Sequence, residues 1–357
     1  MTPVTQRPEA APAGRSLAGS AGPLPSLADA APWLARFTPP FQFGSFFAPE
    51  DTVLCALATG VALRRARRPG DPAHAAPPRV VELTAGSALV LGAALLADAE
   101  LEGYGSEVDP AAVARMHGNL AAIGVDGRAQ VRRVGLFSPR LVGWLRRVRP
   151  AVVACNPPYI PEPPGTPLAL VAGAGPRGDR HPRRVLRAAA EAGAPRVVLS
   201  WCSLGDPVGV VRTAVRAGYR LERLWVAAIA DGEYSGEVHG YARGLATSYL
   251  NEDPATLARV ARDGSARFAY LLLAGSFVRV APDAPDARVR ARRALRRVAR
   301  LMQAFRDDGL AAVEREQARR APGLTCYVVD RWDELRLRAA AHGPVPGADA
   351  PPPAPGI

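Results

Sequence analysis

The stretch Val152-Val153-Ala154-Cys155-Asn156-Pro157-Pro158-Tyr159-Ile160-Pro161 decides how the chain is read. Ala151 to Cys155 is uncharged and apolar, as expected of a short strand buried on both faces. It stops at Asn156, because the prolines that follow cannot extend a ladder and instead fix a rigid turn. Such a turn can present the Asn156 side-chain carbonyl and the Pro157 backbone carbonyl to one point. Two acceptors there would grip the N–H bonds of a planar amide or amino group and turn its nitrogen lone pair towards an electrophile. Tyr159 can stack on the flat face of that group. Catalysis would then be positioning, with little acid–base work. The plainer reading is a proline-rich loop after a buried strand.

Outward from this stretch, strand and helix patterns alternate. Val80 to Leu83 is a buried strand candidate, followed by an apolar helix to about Ala99. Glu102 to Glu107 is a weaker strand. A helix runs from Pro110 to about Ile123, with proline in its first turn and Gly124 at its end. Ala129 to Val134 is a strand, Arg183 to Ala192 a helix, Arg196 to Trp201 a strand and Asp206 to Ala217 a helix. Tyr219 to Ile229 and Phe268 to Val280 complete the strands, and Asp51 to Arg67 is a helix ahead of the first one. Repeated alternation predicts an α/β fold with a mostly parallel sheet.

In such a sheet, ligands bind beyond the carboxyl ends of the strands, at the switch point. Two further strand ends carry informative residues. Glu82-Leu83-Thr84-Ala85-Gly86-Ser87-Ala88 places a glycine where a cofactor could approach the backbone. Glu107-Val108-Asp109-Pro110 follows about 20 residues later, the spacing at which an acidic side chain accepts ribose hydroxyls. Taken singly, the glycine also reads as an ordinary turn, and Glu107 as a helix-dipole partner.

These three pieces, in this order, resemble the class I methyltransferases that modify glutamine in translation release factors, and the related branch described as N6-adenine-specific. The resemblance covers about residues 46–280. It includes Ala48-Pro49-Glu50-Asp51-Thr52, Glu107 with Pro110, Asn119, Asn156 to Tyr159, and Gly175-Pro176-Arg177-Gly178-Asp179-Arg180. It implies a seven-stranded Rossmann-like class I methyltransferase sheet that takes S-adenosyl-L-methionine. It assigns Glu82, Gly86, Glu107 and Asn156 to the cofactor, and Asn156, Pro157 and Tyr159 to the acceptor nitrogen. The implied acceptor is a protein glutamine, with an exocyclic amine of a nucleic-acid base as the alternative. The sequence departs from the family in three places. Thr84 and Ala88 replace the outer glycines of the loop. Gly135 stands where the family usually has an Asp for the adenine amino group. The Pro-rich start is too short to be expected to form the helical substrate-binding domain found ahead of the bacterial enzymes. A degenerate, non-catalytic binding module is the reading these departures leave open.

Composition sets the rest. The chain has 357 residues, is 48% hydrophobic and 22% charged, and carries a net charge of +12. Every basic residue outside histidine is arginine, which suits an acidic partner such as nucleic acid or, more plainly, a solvated basic surface. Cys55, Cys155, Cys202 and Cys326 are widely spaced, so no zinc site or disulfide framework is expected. Free thiols fit a cytoplasmic setting. No secretory leader or membrane span is expected.

The expected organisation is a disordered Pro/Ala-rich segment over 1–31, a helical lead-in over 32–78, the methyltransferase domain over 79–282, an Arg-rich helical appendage over 283–341 and a disordered tail over 342–357. An insert at about 230–267 opens with Asp231 to Tyr241 and contains His239 beside two carboxylates, read either as polar surface or as a metal or acid–base group. If Tyr219 to Ile229 runs parallel to the core strands, this insert starts on the same edge as Tyr159. In the appendage, a helix from about Asp286 to Phe305 has one apolar face, with Arg292, Arg293, Arg296 and Arg297 among those covering the rest. That face suits phosphate, or solvent alone.

Overall fold

The computed structural model describes residues 24–43, 49–66, 77–261, 266–280, 287–319 and 323–329. Its strands are β1 (Arg79–Leu83), β2 (Glu102–Glu107), β3 (Ala129–Arg133), β4 (Val152–Cys155), β5 (Arg196–Cys202), β6 (Tyr219–Ala230), β7 (Leu250–Asn251), β8 (Ala269–Arg279) and β9 (Leu324–Val328). Its α-helices are α1 (Leu27–Ala30), α2 (Pro49–Ala66), α3 (Leu89–Ala97), α4 (Pro110–Ala122), α5 (Arg140–Val148), α6 (Arg180–Ala192), α7 (Pro207–Arg216), α8 (Glu233–Glu237), α9 (His239–Gly244), α10 (Pro254–Val260) and α11 (Ala287–Ala318).

All nine strands form one sheet in the order β3-β2-β1-β4-β5-β8-β6-β9, with β7 paired to β8. The first five in sequence pair in parallel. β8 is antiparallel to both β5 and β6, and β9 is parallel to β6. The chain therefore winds outward from β1 to β3, returns to β4 beside β1, and winds the other way. Right-handed crossovers put the helices of the two halves on opposite faces. Leu91 of α3 and Met116 of α4 meet over Gly105 of β2, so these two helices share a face, and α2 packs against α3. On the other face α5, α6, α7 and α11 lie side by side.

Local sequence explains the elements. β4 is buried throughout, as its unbroken apolar run requires. α4 and α7 each start with proline behind an aspartate cap. Asp109 accepts from the amides of Ala111 and Ala112, and Asp206 from that of Gly209. α6 ends on Gly193, which takes the left-handed conformation of a helix stop. α3 is apolar all round because it is enclosed between the sheet and α2.

The structure corrects the expected organisation at both ends. Disorder was expected to residue 31, yet Leu24, Leu27, Ala28 and Ala31 are buried, α1 is capped by Ser26, and Ser26 bridges to Val328 of β9. The segment is too short and too rich in Pro, Ala and Ser to show a period, and its partner lies about 300 positions away. The appendage is not helical alone, since β9 extends the sheet past β6. α11 runs on to Ala318 through a break at Gly309, beyond the expected end at Phe305. The expected disorder over residues 1–23 and 342–357 lies outside the described residues. Among the described residues no helix is long and apolar enough to cross a membrane.

Candidate active site

The register of the sheet assembles the site. Leu83 of β1 pairs with Ser106 of β2 on one side and with Cys155 of β4 on the other. The next residues, Thr84, Glu107 and Asn156, therefore stand side by side at the carboxyl edge, on strands about 4.8 Å apart. The three strand ends singled out in the sequence meet at the switch point.

The loop after β1 is wound tightly. Thr84, Gly86 and Ala88 have φ of 51°, 52° and 61°. Thr84 and Ala88 thus hold the left-handed conformation that glycine adopts freely, at a cost of about 1–2 kcal/mol each. The Thr84 hydroxyl bonds the Leu83 carbonyl at 2.7 Å and lies 3.2 Å from Cys155 Sγ, which fixes the first of the two. A Cβ added to Gly86 would meet nothing within 4 Å, so the loop's middle residue faces open space.

Glu107 bounds that space. Its Oε2 accepts from the Gly86 amide at 3.2 Å and its Oε1 from the Val108 amide at 2.6 Å. Each oxygen keeps a lone pair for a hydroxyl. Glu82 lies beneath the loop, 3% exposed, and accepts from the Leu91 amide of α3 at 2.9 Å. Burial pushes its carboxyl up to about 8, and the charge of Glu107 adds to the rise. Asn119, which the sequence marked without a role, braces the same loop. Its Nδ2 donates to the Ser87 and Gln42 carbonyls at 2.8 and 2.7 Å, and its Oδ1 accepts from the Gln42 amide at 2.6 Å. Gly135 packs under Val108, since a Cβ there would sit 3.1 Å from Val108 Cγ2.

The acceptor side is held by α2. The Asn156 amide group lies 3.4 Å from Thr52 Oγ1, while Asn156 Oδ1 is buried and has no hydrogen-bond partner among the described residues. The Tyr159 hydroxyl donates to Asp51 Oδ2 at 2.5 Å, and Thr52 Oγ1 donates to Asp51 Oδ1 at 3.1 Å. Burial raises the Asp51 carboxyl above its usual value against the pull of these hydrogen bonds, and it raises the Tyr159 hydroxyl well above its own. Tyr159 is only 8% exposed. Its ring is a wall of the site, with little of the free face that stacking on a substrate requires.

The turn is clamped from behind. Ile160 exchanges backbone hydrogen bonds with Ala172 and Ala174, and Glu162 accepts from the Gly175 amide. Gly178 lies against the Tyr159 carbonyl, where no larger residue fits. Pro157 is buried within the turn.

The insert lies at this edge. β6 runs with β5, so it delivers α8 and α9 to the carboxyl side. Tyr241 donates to the Pro176 carbonyl at 3.0 Å, in the segment that follows the Tyr159 turn. His239 pairs with Glu252 at 2.7 Å and stacks on Phe268, an arrangement that packs the ring into the insert. No group of three or more His, Cys, Asp or Glu able to hold a metal occurs among the described residues. The four thiols are free and buried, and burial holds those of Cys55 and Cys202 up at about 12.

Sequence reasoning missed the role of Asp51 and Thr52. The signal was their place in Pro49-Glu50-Asp51-Thr52 at the start of α2, which carries two carboxylates in its first turn.

The strand order, with an antiparallel β8 between β5 and β6, is that of the Rossmann-like class I methyltransferase sheet, extended here by β7 and β9. No family model and no curated protein matches the sequence. Solved structures with a partial likeness are found. An RNA-methyltransferase candidate from Pyrococcus horikoshii is 16% identical over 71% of this chain and 97% of its own, with a TM-score of 0.40. A precorrin-6y C5,15-methyltransferase from Geobacter metallireducens is 15% identical over 66% and 92%, with a TM-score of 0.36. A ribosomal protein L11 methylase from Lactobacillus delbrueckii subsp. bulgaricus is 11% identical over 66% and 81%, with a TM-score of 0.36.

Proposed function

We propose that this chain is an S-adenosyl-L-methionine-dependent N-methyltransferase whose acceptor is a planar amide or amino nitrogen, first of all a protein glutamine side chain. The observation that carries the reading is the buried Oδ1 of Asn156, unpartnered among the described residues and set beside the loop of Gly86 and the carboxylate of Glu107. A buried acceptor without a partner is costly, and a substrate N–H would relieve it.

The residues present fit the cofactor. The open ground over Gly86 leaves room for its amino-acid end, and Glu107 has lone pairs free for the ribose hydroxyls. Glu82, largely protonated at neutral pH, supports this loop from below. When bound, the cofactor supplies an electrophilic methyl group. Asn156 Oδ1 and the Pro157 carbonyl hold the two N–H bonds of the acceptor, so its lone pair faces that group. Thr52 orients Asn156, and Asp51 fixes Tyr159 as the wall against which the acceptor lies. The acceptor nitrogen held there would exchange one N–H bond for the bond to the methyl carbon, which would part from its sulfur, and the proton released would pass to water.

Retained strain speaks against a decayed site. Thr84 and Ala88 keep left-handed backbone that costs energy, and such strain persists where a function holds the loop in shape. The small free area of Tyr159 favours a narrow amide over a base that needs a stacking face. A base amine is the second reading, and the arginines of α11 favour it. Incubating the protein with methyl-labelled cofactor and cell extract, with and without nuclease or protease, tests the proposal. Label in protein, at glutamine, is expected. Absence of label from every fraction would refute it.

A further inference from the structure

The two helical layers differ sharply in charge. α2, α3 and α4 together carry three arginines and two carboxylates. On the opposite face, α5 has three arginines and no carboxylate, α6 four and one, and α7 two and none. α11 as far as Phe305 has seven and none. These four helices are neighbours across the sheet, so their outward surfaces are continuous.

Arg187, Arg212, Arg216, Arg292, Arg296 and Arg300 are all exposed, and none makes an ion pair among the described residues. The other half of α11 behaves differently. Beyond Phe305, Arg306 pairs with Asp307, Arg315 with Asp308 and Arg319 with Glu316, while Glu314 pairs with Arg259. One helix thus pairs its arginines with carboxylates at one end and leaves Arg292, Arg296 and Arg300 without an ion pair among the described residues at the other. A compositional drift towards arginine would not make that division. That end also sets Arg292, Arg296 and Arg300 four residues apart, a like-charge row that disfavours the helix unless a polyanion covers it. Val298, Leu301, Met302 and Phe305 bury the opposite side of α11, so this row is fixed to face solvent.

We propose that the α5–α6–α7–α11 layer is a docking face for the phosphate backbone of a nucleic acid. Guanidinium groups spread over adjacent helices match a chain of phosphates better than a single anion, and they release counterions when it binds. No base-reading element is implied, because the charges lie on a flat helical layer. The inference concerns binding alone and does not depend on the acceptor. It holds whether the methylated nitrogen belongs to a base or to a protein carried on RNA.

The test is fluorescence anisotropy with labelled duplex DNA, duplex RNA and single-stranded RNA of unrelated sequences, titrated with salt. The wild type should bind with little preference among sequences, and affinity should fall steeply as salt rises, with a log–log slope of roughly 0.9 per phosphate contact on duplex DNA. Changing Arg292, Arg293, Arg296 and Arg300 to Ala should lower affinity roughly tenfold or more and flatten the slope. Changing Arg187, Arg212 and Arg216 to Ala should do the same. Changing Arg306, Arg315 and Arg319 to Ala should leave both unchanged. Cofactor affinity, read separately by calorimetry, should be equal in all four proteins and so reports on folding and on the site. Absence of binding at low salt, equal loss from the paired-arginine variant, or tighter binding to vesicles of equal parts phosphatidylcholine and phosphatidylserine would each overturn the proposal.

Discussion

The Tyr159 hydroxyl donates a 2.5 Å hydrogen bond to Asp51 Oδ2, joining the turn after β4 to the first turn of α2 across 108 positions of sequence. Both residues are buried, so the bond is shielded from water. Removing the hydroxyl leaves a buried carboxyl short of a donor. Tyr159→Phe should therefore cost about 1.5–3 kcal/mol of stability, the range for a hydrogen bond to a charged group. Urea unfolding measures it. A loss within experimental error would show that Asp51 finds its donors elsewhere.

Gly86 offers a cleaner separation of stability from binding. Gly86→Ala places a methyl group in open space at positive φ. The backbone penalty should be about 1–2 kcal/mol, with no clash in the protein. Gly124 has φ of 69° and equally open surroundings at the end of α4, so Gly124→Ala should cost a similar amount. Calorimetric titration of S-adenosyl-L-methionine should show weakened binding for the first variant alone. Equal affinities would move the cofactor away from the loop.

Glu107 should contribute to the same equilibrium through the ribose. Glu107→Ala removes charge-assisted hydrogen bonds of roughly 1.5–3 kcal/mol, about a ten- to hundredfold loss of cofactor affinity. It also frees the Gly86 and Val108 amides, so unfolding should be measured alongside to separate loop collapse from lost contact.

Glu82 gives the site a pH dependence. Its carboxyl rises from 4.5 to about 8 on folding, so the folded state holds the proton more tightly than the unfolded chain. The resulting stability is fully present below about pH 4.5 and is lost as pH climbs through about 8. A tenfold difference in proton affinity between the two states corresponds to about 1.4 kcal/mol. Glu82→Gln keeps an acceptor for the Leu91 amide and cannot ionise. Wild type should therefore lose more stability than this variant between pH 5 and pH 9, compared by denaturant melts about those values. Parallel curves would mean that Glu82 is ionised in the folded protein.

Much of this was legible in the sequence. The buried strands, the turn at Asn156 and the spacing from Gly86 to Glu107 are local patterns, and the parallel register turns them into one site. What escaped depends on partners distant in sequence. Tyr159 read as a stacking platform because nothing local shows that Asp51 takes its hydroxyl and that its ring is then enclosed. Asn119 had no assigned task because its two partners, Gln42 and Ser87, belong to other segments. Leu24 to Ala31 ends a stretch rich in Pro, Ala, Gly and Ser that lacks apolar periodicity, and β9 is five residues long, so neither shows a period by itself. The conformations of Thr84 and Ala88 were hidden for the opposite reason. Their identities argue against positive φ, and only the fold imposes it.

Asn156 tests the central claim most directly. Asn156→Ala removes a buried acceptor that has no hydrogen-bond partner among the described residues, just past the end of β4, on a side chain whose amide group faces Thr52 of α2. With methyl-labelled S-adenosyl-L-methionine and cell extract, followed by identification of the labelled residue, the wild type should transfer label to a nitrogen. The variant should bind the cofactor as tightly and lose transfer by roughly a hundredfold or more, as expected when positioning supplies the rate. Transfer by the variant at the wild-type rate would contradict the account.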